Sequence, residues 1–244
     1  MKIAVIPNGD IKKYKNADAL ILGLKDLSVN VYEMDLSEIE ALTHDFEVFV
    51  AINKNIHNNE LEKLENALIS LSKLNIKGVL YADISVLTIN NDLKLNLNLI
   101  WSQEHLTTNY HTINYWCNSG TSGVFISNDI TKREILEITD NTNCTLMTQV
   151  FGYIPIYTSR RHAVKNYLNN FNLDINSKSY YLEKEEKEYP IVDFKNGTSV
   201  YSNNILCALK EILEYENHGI DYAVINFFNI DSNEEKIIDI FKTF

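Results

Sequence analysis

The segment from Gln149 to Leu168 contains the side chains whose types could most readily do chemistry. Arg160 and Arg161 are two of only three arginines in the chain, and Ser159 directly precedes them. Planar guanidinium groups can hold a carboxylate or a phosphate through paired hydrogen bonds. We therefore predict Ser159, Arg160 and Arg161 as catalytic residues. The structural alternative is that one arginine only ties this segment to the rest of the protein through a buried ion pair.

A second set of candidates comprises polar residues that follow apolar, strand-like runs. In a barrel of parallel strands, side chains at the carboxyl ends face a common mouth, where active sites lie. We predict a substrate-binding set that also includes one residue of the helix after the arginines: Lys25, Asn53, Asp83, Gln103, Asn109 and Asn166. Structural roles stay open for three of them, since Asp83 could cap a helix, Asn53 could form a turn, and Asn166 could cap and pack its helix.

Histidine and cysteine spacing does not predict a metal site. None of the six histidines forms an HExxH-type pair. Cys117, Cys144 and Cys207 are odd in number, widely separated and without a CxxC spacing, so we expect reduced thiols and neither a disulfide framework nor a zinc site. The sequence also lacks a convincing Ser-His-Asp arrangement and a GxGxxG loop, which leaves a nucleotide cofactor unsupported.

Charge and hydropathy restrict the classes of partner. The 244 residues carry a formal net charge of −11, which argues against the protein alone gripping a nucleic-acid backbone, because such binding depends on Lys and Arg releasing counterions. A basic partner or a very local basic patch would have to supply that contact. No run reaches the roughly 20 apolar residues that a membrane span needs, and the start MKIAVIP lacks a long signal-like apolar region. We expect a cytoplasmic protein that does not contact a membrane.

Eight apolar runs alternate with helical patterns along the chain. The runs cover residues 2–6, 19–22, 48–53, 78–81, 98–101, 123–126, 145–150 and 222–227. Leucines every three or four residues over 60–74 predict a helix, and shorter helices are expected over 107–117 and 131–138, each with a threonine cap, over the stripe 206–213 and over 234–244. This order predicts an α/β fold, a (β/α)8 TIM-like barrel that forms one domain over residues 1–244.

Two regions interrupt the alternation. Residues 29–34 could add a small strand. Residues 152–204 form an insertion before the last barrel strand, in which we expect a helix over 162–171 and a β-hairpin with strands over 189–194 and 199–202, around the turn sequence Lys-Asn-Gly-Thr. The acidic run over 183–188 is predicted to be a solvated edge.

Several segments, taken in order, resemble the peptidase U32 (collagenase-like) family, and above all the short firmicute-type member of the paired proteins implicated in 5-hydroxyuridine synthesis at the tRNA wobble position. They are ADALILGLKDLSV (17–29), VFVAINKNIHNNELEKLENAL (48–68), GVLYAD (78–83), WSQEHLTTNYHTINYW (101–116), SGVFIS (122–127), VFGYIPIYTSRRHAVKNYL (150–168), EYPIVDFKNGTSVYS (188–202) and NILCAL (204–209). The resemblance covers most of the chain.

The chain departs from this family at its cofactor residues. Many members bind a [4Fe–4S] cluster through four cysteines, two of them in a His-Gly-x-x-Cys-x6-Cys stretch. Here that stretch begins Phe-Gly-Tyr-Ile-Pro at residue 151, His162 replaces its second cysteine, and only Cys207 matches a ligand. A single thiolate cannot hold the cluster, so we expect no cofactor. Met147 also replaces an acidic residue that could act as a base, which argues against independent catalysis.

The resemblance implies a U32-family protein that takes part in tRNA wobble-uridine hydroxylation beside a longer, cysteine-bearing paralogue. The tRNA would be reached through that partner, and the arginine pair could hold a prephenate-like hydroxyl donor. One alternative is a peptidase or collagenase-like hydrolase, although no nucleophile, metal or carboxylate pair has a recognisable spacing. The other is a non-catalytic scaffold that stabilises its partner.

Overall fold

A computed structural model of the protein describes residues 1–103, 105–174 and 180–243. Its strands in chain order are β1 (Lys2–Ile6), β2 (Ala19–Leu24), β3 (Glu33–Met34), β4 (Glu47–Ile52), β5 (Gly78–Tyr81), β6 (Leu99–Trp101), β7 (Gly123–Phe125), β8 (Thr145–Gly152), β9 (Pro155–Ser159), β10 (Tyr180–Lys184), β11 (Lys187–Phe194), β12 (Gly197–Tyr201), β13 (Leu206–Cys207) and β14 (Tyr222–Asn226). Eight of them, β1, β2, β4 to β8 and β14, pair in parallel, and β1 closes the ring by pairing with both β2 and β14. The predicted (β/α)8 barrel is confirmed, and β3 is the extra strand expected between residues 29 and 34.

The barrel strands are buried on both faces, because one face points into the barrel and the other lies under the helices. In β1, Ala4 and Ile6 belong to the interior cluster, whereas Ile3 and Val5 belong to the layer beneath the helices. The interior cluster also includes Ile21, Phe49, Leu80, Ile100, Met147 and Val224. This alternation fixes the register, since a one-residue slip would exchange the two sets.

All but one of the described helices surround the barrel and cover the outer faces of its strands, and the exception is the helix of the insertion, which packs on β11 and β12. The helices are α1 (Leu36–Leu42), α2 (Leu61–Leu71), α3 (Ile84–Asp92), α4 (Tyr110–Asn118), α5 (Lys132–Asp140), α6 (Ala163–Asn170), α7 (Ile212–Asn217) and α8 (Glu234–Thr243). The leucine stripe buries Leu64, Leu68 and Leu71 in α2, and Thr131 caps α5 as predicted. None of the described helices combines the length and the apolar character that crossing a bilayer requires.

Two helix predictions are wrong in detail. Helix α4 begins after Asn109, whose side chain accepts a hydrogen bond from the Thr112 amide at 3.0 Å, whereas Thr107 is buried three residues earlier. The stripe over 206–213 is not one helix. Its first two residues form β13 along β8, because the chain must return across the mouth of the barrel before α7 can begin.

The insertion over 152–204 contains more strands than the predicted hairpin. The hairpin is present as β11 and β12, but these strands form the centre of a four-stranded antiparallel sheet in the order β10-β11-β12-β9. Strand β9 lies in the segment after Gly152, where the sequence predicted no strand. The acidic run 183–188 is exposed as expected, at the turn between β10 and β11.

The insertion sheet has one face toward α6 and one toward the loops of the barrel. On the α6 face, Thr198 accepts a hydrogen bond from the Ala163 amide at 2.7 Å, and Asp193 accepts one from the Lys165 amide at 2.9 Å. On the other face, Thr158 and Tyr201 both hydrogen-bond to the side chain of Asn30, in the loop after β2. The sheet therefore links the barrel to α6.

The turn between β11 and β12 fastens the insertion to the loop after β2. Lys195 forms an ion pair with Asp26, and the Asn196 amide donates to the Ser28 carbonyl at 2.9 Å and to Glu33 at 2.6 Å. Hydrogen bonds from Lys195 and Lys63 lower the pKa of Asp26 to about 2, while burial raises the pKa of Glu33. These contacts hold the insertion over one side of the barrel mouth.

The expectation of reduced thiols is wrong for two of the three cysteines. A disulfide joins Cys117 at the end of α4 to Cys144 just before β8, with Cα atoms 6.4 Å apart. Their separation of 27 residues hid the pairing in the sequence, because the fold brings together the two chain segments at the amino-terminal end of the barrel. Cys207 is a free, exposed thiol.

Candidate functional site

The carboxyl ends of the barrel strands and the insertion enclose a polar cavity of about 190 Å³, which we call the mouth pocket. Its lining is Val29, Asn30, Asn53, Lys54, Asn55, Ala82, Ser102, Gln103, His105, Thr158, Ser159, Arg160 and Asn196. A second cavity of about 60 Å³ adjoins it within the barrel, beside Gln149 and Asn226. A wider depression of about 670 Å³ lies around Met1, Lys77 and Tyr222 at the other end, the end that contributes to stability in such barrels.

Asn30 occupies the junction between the barrel and the insertion. It is 5% exposed and adopts a left-handed backbone conformation with φ of 58°, which asparagine tolerates better than most residues. Its amide donates to the Thr158 hydroxyl at 3.1 Å, and its carbonyl oxygen accepts from the Tyr201 hydroxyl at 2.9 Å. Sequence reasoning missed this residue. The only available signal was an asparagine between two valines in a segment read as a strand.

Asn53 lies in the mouth pocket as predicted, but its side chain is already engaged. The amide oxygen accepts a hydrogen bond from the Val29 amide at 2.9 Å, and the amide nitrogen donates to the Val29 carbonyl at 3.0 Å. This reciprocal pair fixes the backbone directly before Asn30. Asn53 therefore positions another residue of the pocket, and a direct contact to a ligand stays a prediction.

Arg160 forms an ion pair that ties the insertion to the barrel, as the structural alternative expected, but the arginine is exposed and the pair is not buried. Its guanidinium lies 3.0 Å from a carboxylate oxygen of Glu60, and the other oxygen accepts from the buried ammonium of Lys54 at 2.6 Å. Burial opposes ionisation of Glu60, but hydrogen bonds from Lys54 and the His57 amide outweigh it and lower its pKa. Arg160 thus ties the insertion to the barrel while it also lines the mouth pocket.

Arg161 and Ser159 differ from Arg160 in their surroundings. The Ser159 hydroxyl accepts a hydrogen bond from the Arg161 amide at 3.2 Å and lines the mouth pocket. The Arg161 side chain is exposed and, within the described residues, its guanidinium forms no hydrogen bond or ion pair. It is not part of the pocket lining, but it follows Arg160 at the rim.

Gln103 lies in the mouth pocket with Ser102 and His105 of the same loop. Its amide has no hydrogen-bond partner in residues 1–103, 105–174 and 180–243, so it can bind a ligand without breaking an existing contact. His105 lies 2.8 Å from Asp129, and both side chains are about half exposed. Of the predicted set, the structure brings Asn53, Gln103, Ser159 and Arg160 into one pocket.

The remaining predicted residues lie outside the pocket lining. Asp83 caps α3 through the Ser85 amide and also accepts from the Ile56 amide at 3.1 Å, and Asn109 caps α4. Lys25 pairs with Asp35 at 2.9 Å, and Asn166 is exposed on α6. The structure shows Asp83 and Asn109 as helix caps. A role of these four residues in substrate binding stays a prediction.

The mouth pocket combines cations and amides with no described carboxylate in its lining. Lys54 and Arg160 share the charge of Glu60, which lies behind them. Such a lining suits an anionic or strongly hydrogen-bonding ligand. In the described part of the chain, no three His, Cys, Asp or Glu side chains are arranged to hold a metal ion.

The residues at the family's cluster positions do not fit an iron–sulfur cluster. Pro155 begins β9, His162 precedes α6, and Cys207 in β13 lies beside Phe151 of β8. The other two sulfurs, of Cys117 and Cys144, are bonded to each other. One free thiol is too few for ligation by thiolates.

The fold and the site define a (β/α)8 barrel protein with a polar pocket at the carboxyl ends of its strands, partly covered by an antiparallel insertion. The chain belongs to peptidase family U32, whose model matches residues 10–232. A solved U32 peptidase is 13% identical with a TM-score of 0.56 over 93% of this chain and 92% of its own. A 3-hexulose-6-phosphate synthase, 12% identical with a TM-score of 0.55 over 100% of this chain and 99% of its own, shows the same fold.

Two proteins of Bacillus subtilis strain 168 are similar in sequence. The tRNA hydroxylation protein P2 is 30% identical over an alignment of 182 residues that covers 71% of this chain and 59% of that protein. The tRNA hydroxylation protein P1 is 22% identical over an alignment of 174 residues that covers 66% of this chain and 41% of that protein. The matched region thus spans less than two thirds of the length of either relative.

Proposed function

We propose that the protein takes part in tRNA wobble-uridine hydroxylation, forming 5-hydroxyuridine together with a longer, cysteine-bearing U32 paralogue in the cytoplasm. The similarity to both tRNA hydroxylation proteins carries this proposal. The mouth pocket supports it, because it offers cations and free amides at the end of the barrel where barrel enzymes bind their substrates.

The mouth pocket is proposed to hold a small hydroxyl donor that bears carboxylates, of the prephenate type. Arg160 and Lys54 supply positive charge, and Gln103 and Ser159 supply hydrogen bonds. Because Glu60 already balances part of that charge, the binding relies on directed hydrogen bonds as much as on net attraction. Neither a metal nor an iron–sulfur cluster is assigned to this chain, and iron and sulfide analysis after anaerobic reconstitution tests that assignment.

The paralogue is proposed to provide what this chain lacks. One free thiol remains at the family's cluster positions, and Met147 replaces an acidic residue. Two paralogous hydroxylation proteins in one bacterium are consistent with such a pair. Co-purification of this protein with the longer paralogue tests the partnership, and full hydroxylation by this protein alone would contradict it.

A variant in the mouth pocket distinguishes a protein whose pocket takes part in hydroxylation from a non-catalytic scaffold that only stabilises its partner. Gln103→Ala is expected to lower 5-hydroxyuridine in a complemented deletion strain at least tenfold, while binding to the paralogue is unchanged. Asn118→Ala removes an exposed amide at the end of α4 and serves as the control with wild-type activity. Full activity of Gln103→Ala in an intact complex would favour the scaffold. Peptide hydrolysis would revive the hydrolase, for which the pocket shows no paired nucleophile and base.

A further inference from the structure

The cavity of about 60 Å³ inside the barrel, which we call the inner cavity, shares part of its wall with the mouth pocket. Asn30, Asn53, Ser102 and Gln103 line both spaces. The mouth pocket measures about 190 Å³, so neither space alone reaches the roughly 300 Å³ at which ordinary small-molecule sites begin. A ligand of ordinary size would therefore occupy both.

The strand register points two amide side chains into the inner cavity. Met147 and Val224 belong to the interior cluster of the barrel, and Gln149 and Asn226 stand two residues further along the same strands, β8 and β14. Because side chains alternate between the two faces of a strand, both amides also face the interior. A Cβ at Gly152 would lie 2.2 Å from the Asn226 carbonyl oxygen, so glycine at this position lets β8 lie directly against Asn226.

Each of the two amides has one atom engaged with the backbone and one atom free. The Gln149 Nε2 donates to the Tyr153 carbonyl at 3.1 Å, and the Asn226 Oδ1 accepts from the Phe228 amide at 2.9 Å. These contacts distinguish oxygen from nitrogen in each amide. Within the described residues, the Gln149 Oε1 and the Asn226 Nδ2 have no hydrogen-bond partner. The inner cavity thus offers one acceptor and one donor, on side chains that are only 5% and 4% exposed.

The two spaces differ in charge. The described lining of the inner cavity contains no ionisable side chain, and Ile6, Leu80 and Phe125 contribute apolar surface to it. By contrast, Lys54 and Arg160 line the mouth pocket. Burying a charged group without a partner is costly, whereas a neutral group that finds its hydrogen bonds is tolerated. The cavities therefore suit opposite ends of one ligand, with an anion in the mouth pocket and an uncharged polar group inside the barrel.

We propose that the inner cavity binds the hydroxyl of a small carboxylic acid whose carboxylate lies in the mouth pocket near Lys54 and Arg160, an inference that rests on the proposed function. A hydroxyl both donates and accepts, so one such group satisfies the Gln149 Oε1 and the Asn226 Nδ2 together. A ketone or an ether satisfies only Asn226. The ligand class is therefore a hydroxylated carboxylic acid with an apolar body between its two polar ends.

Titration calorimetry of the full chain with 4-hydroxyphenylpyruvate and phenylpyruvate tests this inference without RNA or hydroxylation. The two probes share their carboxylate and ring and differ in one hydroxyl. The wild type should bind the hydroxylated probe at least about tenfold more tightly, because the other probe leaves two buried polar atoms unpaired. The methyl ether, 4-methoxyphenylpyruvate, cannot donate a hydrogen bond and should bind no more tightly than phenylpyruvate.

Substitutions of similar volume assign the preference to the two amides. Gln149→Met and Asn226→Leu should each lower the affinity for 4-hydroxyphenylpyruvate about tenfold and leave that for phenylpyruvate unchanged. Arg160→Ala should weaken the binding of both probes by the same factor. Asn90→Leu removes a buried amide of α3 that lines neither cavity and serves as the matched control with the wild-type preference.

Equal affinity of the wild type for the two phenylpyruvates, or binding of neither, overturns the inference. This comparison needs no variant, so it decides the question even if a substitution prevents folding. A hydroxyl preference that survives both Gln149→Met and Asn226→Leu also overturns it. Binding of uridine that is lost in Asn226→Leu, without binding of either acid, overturns it too and assigns the inner cavity to a base.

Failure of the proposed function gives a different pattern. A hydroxyl preference that depends on the two amides, together with unchanged wobble nucleosides in a strain lacking the gene, would retain the binding site and reject the hydroxylation role. Loss of 5-hydroxyuridine in that strain, with no hydroxyl preference in the purified protein, would retain the role and reject the site.

Discussion

Among single residues, Asn30 connects the barrel side of the mouth pocket to the insertion. Its buried amide bonds to the edge strand β9 and to Tyr201 of β12, while Asn53 fixes the preceding backbone. Three segments distant in sequence thus meet at one asparagine. Its left-handed conformation further restricts which residues can stand there.

Two substitutions of Asn30 separate the contribution of its side-chain hydrogen bonds from that of its left-handed backbone conformation. Asn30→Ala loses two hydrogen bonds and places a Cβ-bearing residue without a local polar group at φ of 58°, so we expect a loss of about 2–3 kcal/mol in the free energy of unfolding. Asn30→Gly loses the same bonds but tolerates the conformation, and should cost about 1 kcal/mol less. Urea unfolding measures both. Equal stability of the two variants would contradict the role given to the backbone.

The ion pair between Lys195 and Asp26 should make docking of the insertion sensitive to acid. The folded-state pKa of Asp26 is about 2, below its ordinary value of 3.8, so its contribution is fully present above about pH 4 and is lost as the pH falls toward 2. Because both side chains are partly exposed, we expect Lys195→Met to cost only about 0.5–1 kcal/mol at pH 7.

Urea unfolding between pH 7 and pH 3 checks this dependence. The stability difference between the wild type and Lys195→Met should stay constant down to about pH 4 and then shrink. Lys73→Met, which removes an exposed lysine that forms no ion pair with a described residue, should show no such change. A difference that grows as the pH falls would be inconsistent with the assignment.

Some residues of the mouth pocket could be predicted from the sequence, and others could not. Position after a strand was enough to place Asn53 and Gln103 at the mouth of the barrel, because strand ends in a barrel converge, whereas Ser159 and Arg160 were predicted from the chemistry of the arginine pair. The sequence could not show that the guanidinium of Arg160 is paired while that of Arg161 has no partner among the described residues. That difference depends on Glu60, 100 residues away in the chain, and only the docking of the insertion brings them together.

At the scale of elements, the insertion sheet depends on a close approach at Gly197. Its φ is 148°, and a Cβ there would lie 1.9 Å from the Ser159 carbonyl oxygen. Gly197→Ala must therefore separate β12 from β9, and we expect a loss of about 3 kcal/mol in the free energy of unfolding. Gly219→Ala, at φ of 90° with no atom within 4 Å of a Cβ, should cost only about 1 kcal/mol. Similar costs for the two variants in thermal unfolding would show that the close contact is absent.

The disulfide joins two other elements, the end of α4 and the start of β8. Closing a loop of this length should stabilise the fold by about 3.5 kcal/mol in the chain-entropy model. Dithiothreitol should therefore lower the stability of the wild type and of Cys207→Ser, but not of the double variant Cys117→Ser/Cys144→Ser. Unfolding of the wild type that is unaffected by the reductant would contradict the pairing.

The elements of the barrel were predictable, whereas those of the insertion were only partly so. Each barrel strand is a short apolar run bounded by turn residues, and both its faces are buried. Strand β9 begins with Pro155 and exposes Ile156, Tyr157 and Thr158, so its sequence has neither an apolar run nor a clean alternation. It forms because β12 offers an edge, which is a tertiary effect.

At the scale of the whole molecule, charge is distributed unevenly over an acidic barrel. Lys54 and Arg160 line the mouth pocket without a carboxylate in its described lining, whereas carboxylates dominate the turn between β10 and β11. A formal charge of −11 argues against broad contact between this chain alone and a nucleic-acid backbone. In the proposed function, the paralogue would therefore have to supply most of the contact to tRNA.

The central claim is that the protein takes part in wobble-uridine hydroxylation, and mass spectrometry of wobble nucleosides tests it most directly. In tRNA from a strain that lacks this gene and any redundant hydroxylation enzyme, 5-hydroxyuridine and its derivatives should be absent, and expression of the wild-type chain should restore them. Unchanged levels of 5-hydroxyuridine in that strain would contradict the claim and leave a U32 barrel that acts on another substrate.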